Sequence, residues 1–152
     1  MNTTLGRPAG ANEKTAKSED MKVKLSILWI FIMFNMVFAD IFSFMYPGFL
    51  RQVVAGSAVD GTEITPIFLL IAAIVTEIPI AMVFLSRLLK YQTSRWVNIV
   101  GGVITILWVI GGGSTLLPYV FFASVEVGCS LAIIWLASKW NNPEDGVLSV
   151  KS

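Results

Sequence analysis

The sequence predicts an all-α protein: a four-helix transmembrane bundle, up-down-up-down, with both termini cytoplasmic. Three observations predict it. The 152-residue chain holds four apolar runs of membrane-spanning length. Only 14% of its residues are charged and 55% are hydrophobic, where a soluble domain carries about 25% charged residues; the mean hydropathy is +0.74. Its Lys and Arg residues fall almost entirely on one side of those runs.

Residues 1–24 are polar and lack apolar periodicity. It holds Arg7, Lys14, Lys17, Lys22 and Lys24 against Glu13, Glu19 and Asp20. So little hydrophobic surface does not repay the entropy of ordering, and the segment is expected to be a flexible cytoplasmic tail. It does not read as a signal peptide, because the apolar run behind it is too long and no small-residue cleavage site ends it.

The runs are 25–45, 64–86, 96–117 and 119–138. Each has roughly the 20 residues that cross a hydrocarbon core of ~30 Å at ~1.5 Å per residue. Alternation of period two is absent, which excludes a β-barrel and leaves helices to satisfy the backbone in lipid. Pro47 and Gly48 stop the first helix. Pro66 sits in the first turn of the second, where its missing N–H costs nothing. Pro118 separates the third helix from the fourth, and Gly111–Ser114 loosens the third helix's end. Phe49, Leu50, Val53 and Val54 surround Arg51 and Gln52, a pattern that suits either a short interfacial helix or a plain loop. Residues 141–152 read as a cytoplasmic C-terminal tail.

Ten basic residues share the side of the termini and of the 87–95 connection, and Arg51 alone is on the other. That bias places both termini in the cytoplasm. Tyr46, Tyr91, Trp96, Tyr119 and Trp140 lie near run ends, as interfacial anchors do.

Composition also removes function classes. There is no histidine, which excludes His-ligated metals, the Ser-His-Asp triad and a histidine proton shuttle. The single cysteine, Cys129, forms no internal disulfide and no metal cluster. A net charge of +1 carries no basic stripe for nucleic acid.

Membrane helices associate through small and polar residues, and each run has such a stripe. These are Trp29, Met33, Met36, Asp40 and Ser43; Ala73, Glu77 and Ala81; Asn98, Gly102, Thr105, Val109 and Gly112; and Ala123, Glu126, Ser130, Ile133 and Ala137. Three carboxylates, Asp40, Glu77 and Glu126, lie within the runs, and no Lys or Arg does. An acid at a helix centre costs roughly 2.5–3.5 kcal/mol on insertion scales, which marks it as a functional candidate. At ~1.5 Å per residue, Asp40 lies ~9 Å below Tyr46, Asn35 ~16 Å below Tyr46, Glu126 ~12 Å below Pro118 and Glu77 ~20 Å below Ile64. The expected site is therefore a polar cavity in which Asp40, Glu77, Glu126, Asn35 and Asn98 bind a ligand or accept a proton. Trp29, Trp108, Thr105 and Ser130 would form its walls. The spread in depth argues against a shared metal ion, and no cofactor is implied. Pro79, two residues beyond Glu77, frees the carbonyl of Val75 and favours a local opening.

The order of Lys22–Ser26, Asn35–Ile41, Glu77–Met82, Ser86-Arg87, Arg95-Trp96, Asn98, Gly111–Ser114, Phe121–Ala123 with Glu126, and Trp140 with Pro143 resembles a family of small bacterial four-span membrane proteins of uncharacterised function. The resemblance covers roughly residues 20–143. It implies four helices in a bacterial inner (plasma) membrane and carries no catalytic role. In size and span count the chain is also similar to DoxX-like four-helix membrane proteins, an architectural analogy alone. Small multidrug transporters likewise combine four helices with an intramembrane glutamate. Here the first acid, Asp40, is nearer the outer end, and the outer loop is longer.

The expected function is non-enzymatic: binding of a small or lipid-like ligand within the bilayer. A proton-coupled carrier, a lipid-modifying enzyme using two carboxyls, and a structural partner of another membrane protein are the alternatives. The bilayer, such a ligand, and a homo-oligomeric or membrane-protein partner are the expected contacts.

Overall fold

The structure is a computed structural model, and it describes residues 9–57, 63–112 and 114–140. These form five helices: α1 (Ala9–Met45), α2 (Phe49–Val54), α3 (Pro66–Leu88), α4 (Tyr91–Gly111) and α5 (Leu117–Lys139). Four of them, α1 from Thr15 onward, α3, α4 and α5, are long and apolar enough to cross a membrane. This is the architecture of a multi-pass membrane protein.

Local chemistry sets the helix ends. Gly48 takes a left-handed φ of 88°, which lets the chain reverse from α1 into α2. Of the two expectations for residues 49–54, the short helix is the one that forms. Gly56, at φ 82°, turns the chain again, and Ile64 N–H donates to its carbonyl at 2.9 Å. Thr65 caps α3: its Oγ1 accepts from Phe68 N–H at 3.1 Å, with Pro66 in the first turn. Pro118 occupies the first turn of α5.

α1 corrects the expected tail. Its helix begins at Ala9, so residues 9–24 are helical where the sequence predicted a flexible segment. Once the span is fixed, each added residue gains a hydrogen bond without a new nucleation cost. Lys22–Glu19 at 2.9 Å and Lys24–Asp20 at 2.6 Å then pair one turn apart. Similarly α4 starts at Tyr91, five residues earlier than the third apolar run. The C-terminal segment 141–152 and Gly113 lie outside the described residues.

Helix α1 packs on α3 and α5, and α4 packs on the same two, so the four spans form a ring of antiparallel neighbours. Leu25, Trp29, Ile32, Met82, Ile133 and Trp140 form the apolar core. Gly102 lets α4 and α5 approach closely, since a Cβ there would lie 2.9 Å from Ile134 Cγ1. At the end holding the Leu89–Lys90 connection, Arg95 Nη2 donates to Ser138 O at 3.0 Å and Tyr91 Oη–H donates to Trp140 O. The Tyr91 and Trp140 rings meet edge-on, 5.1 Å apart. At the α2 end, Tyr119 Oη–H donates to Val109 O at 2.9 Å.

Candidate functional site

The buried polar groups divide into two clusters at different depths. The first joins α1, α3 and α4 around Asn98, which is wholly buried. Its Oδ1 accepts from Trp29 Nε1 at 2.7 Å and from Ser86 Oγ at 3.0 Å. Its Nδ2 donates to Ser94 O at 2.7 Å and to Ser94 Oγ at 3.3 Å. An indole N–H only donates, so the amide oxygen must face Trp29. Both protons and both lone pairs of the amide are thus in use. Ser26 Oγ adds a bond to Val83 O at 2.9 Å nearby. The sequence put Asn98 and Trp29 in the ligand site; the geometry makes them a clasp among three helices with no capacity left for a ligand. Ser26, Ser86 and Ser94 escaped the sequence reading. The spacing of Ser94 and Asn98, one turn apart, was the available signal.

The second cluster lies toward the α2 end, between α1 and α5. Helix α5 turns Glu126 and Ser130 inward, one turn apart; they are 4% and 0% exposed. Glu126 Oε1 and Ser130 Oγ are buried without a hydrogen-bond partner among the described residues. Buried polar atoms are nearly always paired, and leaving one unpaired costs about 1–3 kcal/mol. Asp40 of α1 lies two residues before Phe42, and Glu126 one turn after Phe122, the ring pair that joins α1 to α5. Asp40 itself is on the exposed side of α1 and makes no hydrogen bond among the described residues. Phe42 and Phe122, with ring centres 5.7 Å apart, close α1 against α5 toward the α2 end. Asn35, 8% exposed, bonds back to Phe31 O of its own helix at 2.8 Å. Thr105 of α4 is buried as well, and Trp108 is half-buried.

Glu77 belongs to neither cluster. It lies on the exposed face of α3, which packs inward through Pro79, Met82 and Ser86 instead. The stripe of Ala73, Glu77 and Ala81 is thus not the seam of this bundle. Glu126 is buried and Asp40 exposed toward the same end of the bundle; Glu77 and Asn98 are each elsewhere. Tyr119 was read only as an interfacial anchor; its hydroxyl ties α5 to Val109 O across the α4–α5 turn. Among the described residues no three metal-ligating side chains converge. Outside the ring, α3 and α4 flank an apolar groove of about 390 Å³, lined by Ile78, Met82, Leu85, Trp96 and Val100 among others. None of the residues expected to form the site lines it.

Residues 15–146 match the model of a family described as a family of unknown function (DUF6326). Comparison with curated proteins and with solved structures yields no match.

Proposed function

We propose, from the premise that the chain belongs to that family of unknown function, that it is a non-enzymatic binding protein of the bacterial inner membrane. Its ligand is a small or lipid-like molecule that offers a hydrogen-bond donor, best a protonated amine. The observation that carries this reading is the pair of buried, unpartnered oxygens, Glu126 Oε1 and Ser130 Oγ, one turn apart on α5. An ammonium group donates to both, and the apolar runs 25–45, 64–86, 96–117 and 119–138 hold no Lys or Arg to compete for them. Asp40, exposed on α1 two residues before the Phe42–Phe122 contact, draws a cation toward Glu126. The ten-to-one distribution of basic residues supports cytoplasmic termini, and so an entrance from the outer half of the bilayer.

Native mass spectrometry of the detergent-purified chain, with octylamine and octanol as added probes, tests the proposal. The wild type is expected to retain a co-purified molecule or to prefer octylamine over octanol. Glu126→Gln is expected to lose that retention, while Glu77→Gln keeps it. A wild type that retains nothing and treats the two probes alike would overturn the reading.

A further inference from the structure

Glu77 stands at the midpoint of the 23-residue α3, eleven residues from either end. It faces out of the bundle and makes no hydrogen bond or ion pair among the described residues. A lone carboxyl facing hydrocarbon at that depth is costly, and such groups face a partner or a wet cavity in nearly every case. Acyl chains offer no polar atom at the bilayer centre, so lipid does not meet the need. We propose that α3 is the interface of a homodimer, in which Glu77 of one copy meets Glu77 of a second across a two-fold axis normal to the membrane.

Several features favour a second copy as the occupant. The strong basic asymmetry gives every copy the same orientation, so such an axis brings identical residues to identical depth. Two carboxyls are self-complementary, because a carboxyl has acceptor oxygens and, in its neutral form, an O–H donor as well. Ala73 and Ala81, one turn to either side of Glu77, are small enough to let two α3 helices approach until those bonds close. Helix α3 is also the least buried span: 11% of its apolar window is covered inside one chain, against 22–33% for the others. The surface it leaves open, with Ile74 and Phe84 exposed on either side, is what a neighbour would cover.

The full-length chain in liposomes provides the test, by single-molecule photobleaching and by disulfide cross-linking in a Cys129→Ser background. Wild type is expected to dimerise, with Ala73→Cys and Phe84→Cys cross-linking between copies and Leu131→Cys on α5 failing to. Glu77→Leu, on a face where an apolar side chain suits lipid and folding is undisturbed, is expected to weaken the dimer about tenfold. Glu77→Gln, whose amides also pair, is expected to keep it. A monomeric wild type, or a dimer that Glu77→Leu leaves unchanged or that cross-links through α5, would overturn the proposal. So would a different membrane protein that co-purifies with wild type and is lost from Glu77→Leu while the chain stays monomeric. Ligand retention by Glu126 is read separately, so either proposal can fail alone.

Discussion

The indole Nε1 of Trp29 donates to the amide oxygen of Asn98 across 69 residues of sequence, at 2.7 Å. This bond passes over the interior of the ring, joining α1 to α4, two helices that otherwise pack on α3 and α5. Asn98 collects Ser86 and Ser94 at the same point, so one amide registers three helices.

Asn98→Ala therefore strands a buried indole N–H and the Ser86 hydroxyl together. In membranes individual side-chain hydrogen bonds average only about 0.6 kcal/mol. Orphaned buried groups cost about 1–3 kcal/mol each in general. The expected loss for Asn98→Ala is about 2 kcal/mol, read from detergent-to-SDS unfolding curves. Trp29→Phe removes one donor and leaves Asn98 three of its four hydrogen bonds, so it is expected to cost less through hydrogen bonding. A variant Asn98→Ala as stable as wild type would show that the clasp contributes nothing to the bundle.

The glycines of α4 and α5 separate contact from helix propensity. A Cβ at Gly102 would lie 2.9 Å from Ile134 Cγ1, whereas one at Gly128 would meet nothing within 4 Å. Gly102→Ala is expected to destabilise by about 1–3 kcal/mol, through a forced shift of Ile134 or of the helices. Gly128→Ala is expected to be neutral or stabilising by up to about 1 kcal/mol, the propensity difference between the two residues. The same unfolding assay ranks them, and the reverse order would contradict the packing of α4 on α5.

The spans were legible in the sequence because the bilayer imposes length and hydropathy on them directly. The buried faces of α4 and α5 were legible too: Asn98, Gly102 and Thr105, and Glu126, Ser130 and Ala137, are small or polar where helices must touch. On α3 the same rule pointed at Ala73, Glu77 and Ala81, yet the bundle packs through Pro79, Met82 and Ser86. That helix is apolar nearly all round, so periodicity carries little information about which face turns inward. The start of α1 was hidden for a different reason. Residues 9–24 have no apolar stripe, and their helix follows from continuity with the span behind them. Of the site, Glu126 could be found as an acid within a span. Its separation from Asn98 could not, because that depends on how α1 seats Trp29.

The extended start of α1 predicts protection in a segment whose composition alone suggests none. Lys22 and Lys24 pair with Glu19 and Asp20 one turn before them. Such exposed pairs contribute about 0.2–0.5 kcal/mol each, so most of the order comes from the attached span. Hydrogen exchange of the liposome-embedded protein is expected to show amides from Lys22 to Leu25 exchanging much more slowly than an unstructured peptide. Exchange at the unstructured rate through Lys24 would restore a tail that ends where the apolar run begins.

Glu126 and Ser130 predict a split between stability and binding. Each carries a buried oxygen without a partner among the described residues, so the unliganded fold bears their desolvation cost. Replacing an unpaired polar group by an apolar one of similar size removes that cost. Ser130→Ala is expected to leave stability unchanged or raise it by about 1 kcal/mol, and Glu126→Leu to raise it by about 1–3 kcal/mol. Both are expected to lose the retained molecule, or the preference for octylamine, that wild type shows. A group kept for packing would behave the other way, with its removal lowering stability and leaving retention untouched. Parallel SDS unfolding and native mass spectrometry of the two variants distinguish these cases. Stability falling with retention untouched would return Glu126 and Ser130 to the framework of the bundle, beside Asn98.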